Sequence, residues 1–229
     1  DIFHKIVLCD YENNEIKNEI NSVIKKSFNL PKHFIAKHFI HDGDLGYIMS
    51  NGCVGVCFSD KSRIIMDPRE EFAQFYRYSN SNGEVIKLED YFQENPGCNF
   101  SVIKNKYQDK VSLLKKFSRA FKKYISLYDM QNGAFDSSIP LHNVKHYIQK
   151  DQTTLFKFSD SNVQVNFKDC RKLIIFWNLR KMCIVRNLKD NCDLLDLNDI
   201  ASSNNNCEEH KKLRRAKELL LVLAKRNAE

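Results

Sequence analysis

One strand–turn–strand pattern occurs twice in this chain. Residues 50–66 (SNGCVGVCFSDKSRIIM) and 159–175 (SDSNVQVNFKDCRKLII) align without a gap. The identical pairs include Ser50/Ser159, Val54/Val163, Val56/Val165, Phe58/Phe167 and Asp60/Asp169. Each copy alternates apolar and polar residues, passes through a polar cluster and becomes apolar again, which is typical of a β-hairpin.

A basic amphipathic helix follows each copy, over residues 109–125 and 208–225. Two sheet-plus-helix units indicate a pair of related modules rather than one catalytic core. An open antiparallel sheet with one apolar face needs a cover, and a single helix provides only part of it. We therefore expect the two sheets to pack together, with a ligand in the groove between them.

Periodicity predicts the elements along the chain. An amphipathic helix is expected at 11–28, a polar linker at 129–142 and a last helix at 207–226. The apolar stripe predicted for the last helix consists of Leu213, Ala216, Leu219, Leu220 and Leu223. The predicted strands are 33–41, 45–50, 53–59, 62–67, 72–78 and 84–88 in the first unit, and 144–149, 153–159, 162–168, 171–177, 181–187 and 192–197 in the second.

The composition indicates a globular protein and argues against a membrane-spanning, disulfide-bonded or metal-binding one. With 42% apolar and 28% charged residues the chain should form a globular protein, and no apolar run is long enough to cross a membrane. Because it begins at Asp1 rather than Met, without a secretion signal, we expect a fragment of a longer chain. Eight cysteines without CxxC spacing predict free thiols, no metal site and no cofactor.

The net charge of +7 suits an acidic or phosphorylated partner. The basic residues fall mainly on helix faces, where solvated side chains are the ordinary interpretation. A nucleic-acid-binding protein usually interleaves its basic stripe with aromatic side chains, and this chain does not. We therefore expect no nucleic acid as partner, and the lack of an apolar run that could span a membrane predicts no membrane partner either.

Several of these segments resemble the polo-box domain, the C-terminal regulatory region of polo-like kinases. Asp44-Leu45-Gly46-Tyr47 is similar to the family's Gly-Leu-Gly-Tyr. The two hairpin copies, Ser50–Asp60 and Ser159–Phe167, are similar to strands of the first and second box. The Leu113–Phe117 segment resembles the first box's helix, and the helix at 11–28 resembles the polo-cap helix.

The resemblance implies an α+β fold with two tandem polo boxes. Each box would be a six-stranded antiparallel sheet with a C-terminal helix, and the two sheets would pack into a sandwich-like module. The implied domains are a polo-cap helix and linker at 1–32, a first box at 33–128, an inter-box linker at 129–143 and a second box at 144–229.

The implied function is a docking module that binds phosphoserine or phosphothreonine peptides in the groove between the boxes. It would localise a mitotic kinase to centrosomes, spindle poles and kinetochores, in cytoplasm and nucleus, and would contact its own kinase domain in cis. The chain itself has no Gly-rich phosphate loop and no HRD or DFG sequence, so it is not expected to be an enzyme. The ATP-binding serine/threonine kinase domain would lie N-terminal to it.

In the family, a His-x-Lys pair grips the phosphate, and this chain has Cys170-Arg171-Lys172 there. Alternate strand residues share a face, so we expect Cys170 and Lys172 on one side and Arg171 opposite. Lys172 is the predicted phosphate contact, the alternative being a solvated lysine at a strand end. A neutral thiol replaces the histidine poorly, at a cost of about 1.5–3 kcal/mol, or roughly tenfold to 150-fold in affinity.

The resemblance implies further groove residues. The family's first-strand tryptophan falls on Ala36 or His38 here, whereas the chain's one tryptophan, Trp177, lies in the second box. The remaining candidates align with the end of the first helix and with a polar groove position; they are Ile125, Ser126 and Gln149. Core packing is the alternative for Ile125, and plain surface for the other two.

Loss of both the histidine and the tryptophan leaves a second hypothesis open. The chain would then be a phospho-independent interaction or dimerisation module, with a homodimer as one form. A convergent cluster of Lys172 with Arg171, Lys168 or Lys157 would favour phosphate binding. A groove that is apolar, or filled by its own side chains, would favour the second hypothesis.

Overall fold

The computed structural model describes residues 33–78, 82–91, 106–125, 137–186, 194–202 and 207–226. The chain divides into two compact units, with the boundary between Lys145 and His146. The helix predicted at 11–28 lies outside the described residues.

The first unit is an antiparallel sheet of six strands in the order β1-β2-β3-β4-β5-β6. A short 3-10 helix, Leu88–Tyr91, follows the last strand, and helix α1 spans Gln108–Ile125. The strands are β1 Ile35–His41, β2 Asp44–Met49, β3 Val54–Cys57, β4 Arg63–Met66, β5 Phe72–Tyr76 and β6 Glu84–Lys87.

The second sheet also has six antiparallel strands, in the order β12-β11-β10-β9-β8-β7, and its first strand begins two residues before the unit boundary. Two helices follow, α2 at Leu197–Ser202 and α3 at Glu208–Arg226. The strands are β7 Val144–Lys150, β8 Thr153–Phe158, β9 Val163–Asn166, β10 Lys172–Phe176, β11 Lys181–Val185 and β12 Leu195–Asp196. The predicted α+β fold, with two six-stranded antiparallel sheets and a C-terminal helix, is confirmed.

The strand predicted at 192–197 is described only from residue 194 onward. Within 194–197, Leu195–Asp196 form the strand, and the prediction is wrong at Leu197, where helix α2 begins. Asp196 Oδ1 accepts a hydrogen bond from the Asn198 amide at 2.9 Å, which satisfies an N–H that the first helical turn cannot pair. A helix therefore begins where the alternating pattern predicts the end of a strand, because Asp196 caps its first turn.

Helix α1 packs on one face of the first sheet, where strand pairing aligns Gly46, Val56, Ile64 and Phe75. Gly46 lies directly beneath the Phe117 ring, and a Cβ atom there would come within 2.0 Å of that ring. The glycine therefore permits the close approach of helix and sheet. The buried helix residues are Val111, Leu114, Phe117, Ser118 and Phe121.

Helices α2 and α3 complete the core of the second unit. The predicted apolar stripe of the last helix is confirmed, since Ala216, Leu219 and Leu223 are buried while Leu213 and Leu220 pack against the core. Their partners, from the sheet and α2, are Ile148, Leu155, Val163, Val165, Leu173, Ile175, Met182, Leu197 and Ile200.

A buried glutamine, Gln74, binds the segment 137–141 to the face of the first sheet that lies opposite α1. Gln74 Nε2 donates to the carbonyl oxygens of Ser137 at 3.2 Å and Ile139 at 2.8 Å. Its Oε1 accepts from the Leu141 amide at 2.6 Å and from the Tyr76 hydroxyl at 2.8 Å. One side chain thus satisfies polar groups that burial would otherwise leave unpaired.

We expect Gln74→Ala to lower the free energy of unfolding by about 2–4 kcal/mol, because the buried Leu141 amide and Tyr76 hydroxyl lose their acceptor together. Urea unfolding measures the loss, and amide hydrogen exchange should show Leu141 unprotected. Gln149→Ala removes an exposed glutamine on β7 and should change stability by less than about 0.5 kcal/mol. Equal effects of the two substitutions would contradict this assignment.

Candidate functional site

The two copies of the repeat form the same turn. The amides of Lys61 and Cys170 donate to the carbonyls of Phe58 at 2.9 Å and Phe167 at 3.2 Å, respectively. Both residues adopt the left-handed conformation, with φ of 65° for Lys61 and 64° for Cys170. The preceding aspartate stabilises each turn, because Asp60 Oδ1 accepts from the Ser62 amide and Asp169 Oδ1 accepts from the Arg171 amide.

The expectation that Cys170 and Lys172 share a strand face is wrong. Strand β10 begins at Lys172, and Cys170 lies before it in the turn with positive φ. The alternation of faces applies only within extended backbone, so it cannot be extended through a left-handed residue. The Cys170 side chain is exposed at the turn.

In the second unit, four charged groups gather beside this turn. The Arg171 guanidinium contacts Glu208, the first residue of α3, and lies 3.7 Å from Asp169 Oδ2. Lys212 Nζ lies 2.8 Å from Asp169 Oδ2 and 3.7 Å from Glu208 Oε1. Two carboxylates therefore hold two cations, and the charge of Arg171 is engaged within the protein.

Lys212 is the most buried member of this cluster. Its side chain is only 9% exposed, and its ammonium group lies 4.1 Å from the centroid of the Phe167 ring. Partial burial alone would raise the pKa of Asp169, but the hydrogen bonds from Lys212 and from the Arg171 amide outweigh it and lower that pKa. Asp169 therefore stays ionised to a lower pH than an ordinary aspartate.

The first unit repeats this arrangement at its own turn. Lys110 from α1 donates to Asp60 Oδ2 at 2.6 Å and to Ser62 Oγ at 2.7 Å, and lies 4.0 Å from the centroid of the Phe58 ring. Partial burial opposes the shift, yet the hydrogen bonds from Lys110 and Ser62 lower the pKa of Asp60. Each turn is thus joined to its own helix by a lysine that contacts the repeated aspartate and phenylalanine.

The structure brings Cys170, Arg171 and Lys172 together at one turn. Lys172 is half-buried at the start of β10, opposite Asn166 and Val185, and Gln149 is exposed on β7. Lys157 is half-buried on β8 and Lys168 is exposed at the turn.

The other candidates belong to the first unit. Ala36 is buried next to a register shift in β1, whereas His38 is half-buried opposite Tyr47. Ile125 is the last residue of α1, and Ser126 lies outside the described residues.

The carboxylate cluster was missed in the sequence. Its members Asp169, Glu208 and Lys212 are spread over two elements, so spacing alone does not connect them. One signal was available, because Asp169 and Phe167 repeat Asp60 and Phe58, and each copy precedes a lysine-rich helix. In the part of the chain that the structure describes, no group of three or more metal-ligating side chains forms, and no helix is long and apolar enough to span a membrane.

Comparison with known proteins agrees with this architecture. Residues 44–112 match the family model of the POLO box duplicated region. The polo-box domain of Cdc5 from budding yeast is 15% identical, with 89% of this chain and 83% of that chain covered and a TM-score of 0.60. No curated protein matches the chain in sequence.

Two complexes of the same yeast domain share the fold. The complex with an Spc72 phosphopeptide is 16% identical and covers 87% of this chain and 74% of that chain, with a TM-score of 0.58. The complex with the Dbf4 polo-interacting region is also 16% identical and covers 82% and 73%, with a TM-score of 0.57. Residues 44–112 thus match the POLO box family, and the described part of the chain shares the fold of these polo-box domains.

Lys212→Met should raise the pKa of Asp169, because it removes the main charge-assisted hydrogen bond while keeping an unbranched stem over Phe167. A carboxylate with a lowered folded pKa contributes stability that is present above its unfolded value, here 3.8, and is lost as the pH falls through the folded value. NMR titration of the Asp169 carboxyl measures the shift, with exposed Lys211→Met as the matched control. An unchanged Asp169 titration in Lys212→Met would contradict the cluster.

Cys170→Gly should increase the free energy of unfolding by about 0.5–1 kcal/mol, because glycine adopts positive φ without the steric cost of a side chain. Lys61→Gly tests the same conformation in the first unit, and thermal unfolding compares both. Cys183→Gly, in the middle of β11, should destabilise instead. Destabilisation by Cys170→Gly would contradict the left-handed turn.

Proposed function

We propose that this chain docks phosphoserine or phosphothreonine segments of partner proteins and thereby localises an attached serine/threonine kinase. Lys172 would donate charge-assisted hydrogen bonds to the phosphate, since it stands at the lysine of the family's His-x-Lys pair. The likeness to a polo-box domain crystallised with a phosphopeptide supports this proposal. The observation that carries it is Lys172 at the start of β10, beside an exposed turn of the second unit.

The pocket we propose is weaker than one with a complete His-x-Lys pair. Cys170 offers no cation, and Arg171 already contacts Glu208 and lies near Asp169. A phosphate would have to displace a carboxylate to gain the Arg171 guanidinium. Cys170→His should therefore strengthen binding more than any substitution that merely adds surface charge.

The engagement of Arg171 favours one alternative, a phospho-independent interaction module. In that case the turn would be a structural connection between sheet and helix, and partner recognition would not depend on a phosphate. A homodimer is one form that such a module would take.

The cellular part of the proposal follows from the family. The parent protein would be a serine/threonine kinase with its catalytic domain N-terminal to this chain, held in check by contact in cis. Docking would direct it during mitosis to centrosomes or spindle poles and to kinetochores, from the cytoplasm and the nucleus. His38, Ile125, Ser126 and Gln149 are the further residues proposed to contact the bound segment.

Fluorescence polarisation with a phosphothreonine peptide library and matched unphosphorylated peptides tests the proposal. We expect phosphate-dependent binding that Lys172→Met weakens roughly tenfold to 150-fold, the range of one charge-assisted hydrogen bond. Cys170→His should tighten binding, and histidine tolerates the left-handed conformation better than most residues. Exposed Lys211→Met on α3 serves as the charge-matched control.

Two results would overturn the proposal. Equal affinity for phosphorylated and unphosphorylated peptides would support the phospho-independent module instead. If the Cys170→His variant is folded by circular dichroism but does not bind the phosphothreonine peptides, phosphate recognition by this turn is excluded.

A further inference from the structure

A groove lies at the β6 edge of the first sheet, on the face opposite helix α1. Its volume is about 540 Å³, and it is lined by Glu70, Glu71, Phe72, Val85, Lys87, Glu89 and Ser137. A groove of this volume can hold a few side chains of a bound peptide. Every lining residue belongs to the first unit, so the groove is complete without the turn at Cys170.

The sheet register explains the apolar floor of this groove. Phe72 pairs with Lys87 and Gln74 pairs with Val85, so these four side chains project from the same face. Gln74 holds the segment 137–141 on this face, and Ser137 itself lines the groove. Val85 is 47% exposed, although it shares this face of the sheet with the buried Gln74. An apolar side chain that is exposed in this way can contact a partner.

The rim of the groove is acidic although the whole chain is basic. Three carboxylates, from Glu70, Glu71 and Glu89, surround one lysine. Glu70 already accepts a hydrogen bond from Ser118 Oγ at 2.7 Å, and Glu71 lies 4.0 Å from the exposed Arg69. Within the described residues, no ion pair or hydrogen bond engages the Glu89 carboxylate.

We propose that this groove binds an unphosphorylated partner segment in which arginine or lysine residues flank a large aliphatic residue. The aliphatic side chain would cover Phe72 and Val85, and the flanking cations would meet Glu71 and Glu89. Charge complementarity selects this occupant, because an acidic or phosphorylated segment would meet the carboxylates of the rim. The inference does not rest on the function proposed above, since it uses a different surface and opposite charges.

The test uses the whole chain and a fluorescein-labelled nonapeptide with Leu-Val-Leu at its centre, two arginines on each side and glycine ends. Two twin peptides replace the arginines by glutamates or the central residues by serines. We expect saturable binding of the first peptide in fluorescence polarisation at 0.15 M salt, and at least about tenfold weaker binding of either twin. An excess of phosphothreonine peptide should not displace it.

Three variants locate the site. Glu71→Lys combined with Glu89→Lys should weaken binding about tenfold, and Val85→Ser should weaken it severalfold, since both change exposed side chains. Asp90→Lys is the control, because Asp90 neighbours Glu89 in the 3-10 helix without lining the groove. Lys172→Met should leave this binding unchanged.

Three outcomes would overturn the proposal. They are equal affinity for the arginine and glutamate peptides, equal weakening by Asp90→Lys and by the groove variants, and absence of saturable binding. A change of oligomeric state in the groove variants, measured by light scattering, would also contradict it by making the groove an interface between copies of this chain.

Discussion

The contact between a helix lysine and a turn aspartate organises each half of this molecule. Lys110 reaches Asp60 in the first unit and Lys212 reaches Asp169 in the second, and each ammonium group also lies over a phenylalanine of the same hairpin. Each aspartate also accepts a hydrogen bond from the backbone amide that follows the left-handed residue, Ser62 in the first unit and Arg171 in the second. One carboxylate thus fixes both the path of the hairpin and the place of the helix on it.

The same contact limits what the second unit can offer a ligand. Asp169 and Glu208 hold Lys212 and Arg171, so much of the positive charge near the turn already has a partner. A phosphate at the proposed contact, Lys172, would meet two carboxylates as well as the cations, and an exposed thiol stands at the position aligned with the family's histidine. In the proposed function, structural stabilisation and phosphate recognition would therefore compete for the same side chains, and the phosphate site would be a weak one.

Most of the fold was predictable because its strands and helices follow from local patterns of apolar and polar residues. Alternation of apolar residues predicted both six-stranded sheets, and helical spacing predicted the buried stripe at Ala216, Leu219 and Leu223. The prediction failed where a single polar group overrides the pattern, as at the capping Asp196 and at the left-handed Cys170. The pairs Lys212–Asp169 and Gln74–Leu141 join residues far apart in sequence, so spacing could not show them. For the same reason the candidate site was predicted as a set of positions but not as a charge network.

Because Arg171 contacts Glu208 and lies near Asp169, we expect this residue to serve the fold rather than the ligand. The most direct test is the affinity of phosphothreonine peptides for Arg171→Met, Lys172→Met and Glu208→Gln measured side by side. We expect little change in affinity for Arg171→Met, a large loss for Lys172→Met and tighter binding for Glu208→Gln, which releases the guanidinium. A loss for Arg171→Met as large as that for Lys172→Met would contradict it, because Arg171 would then be a phosphate ligand.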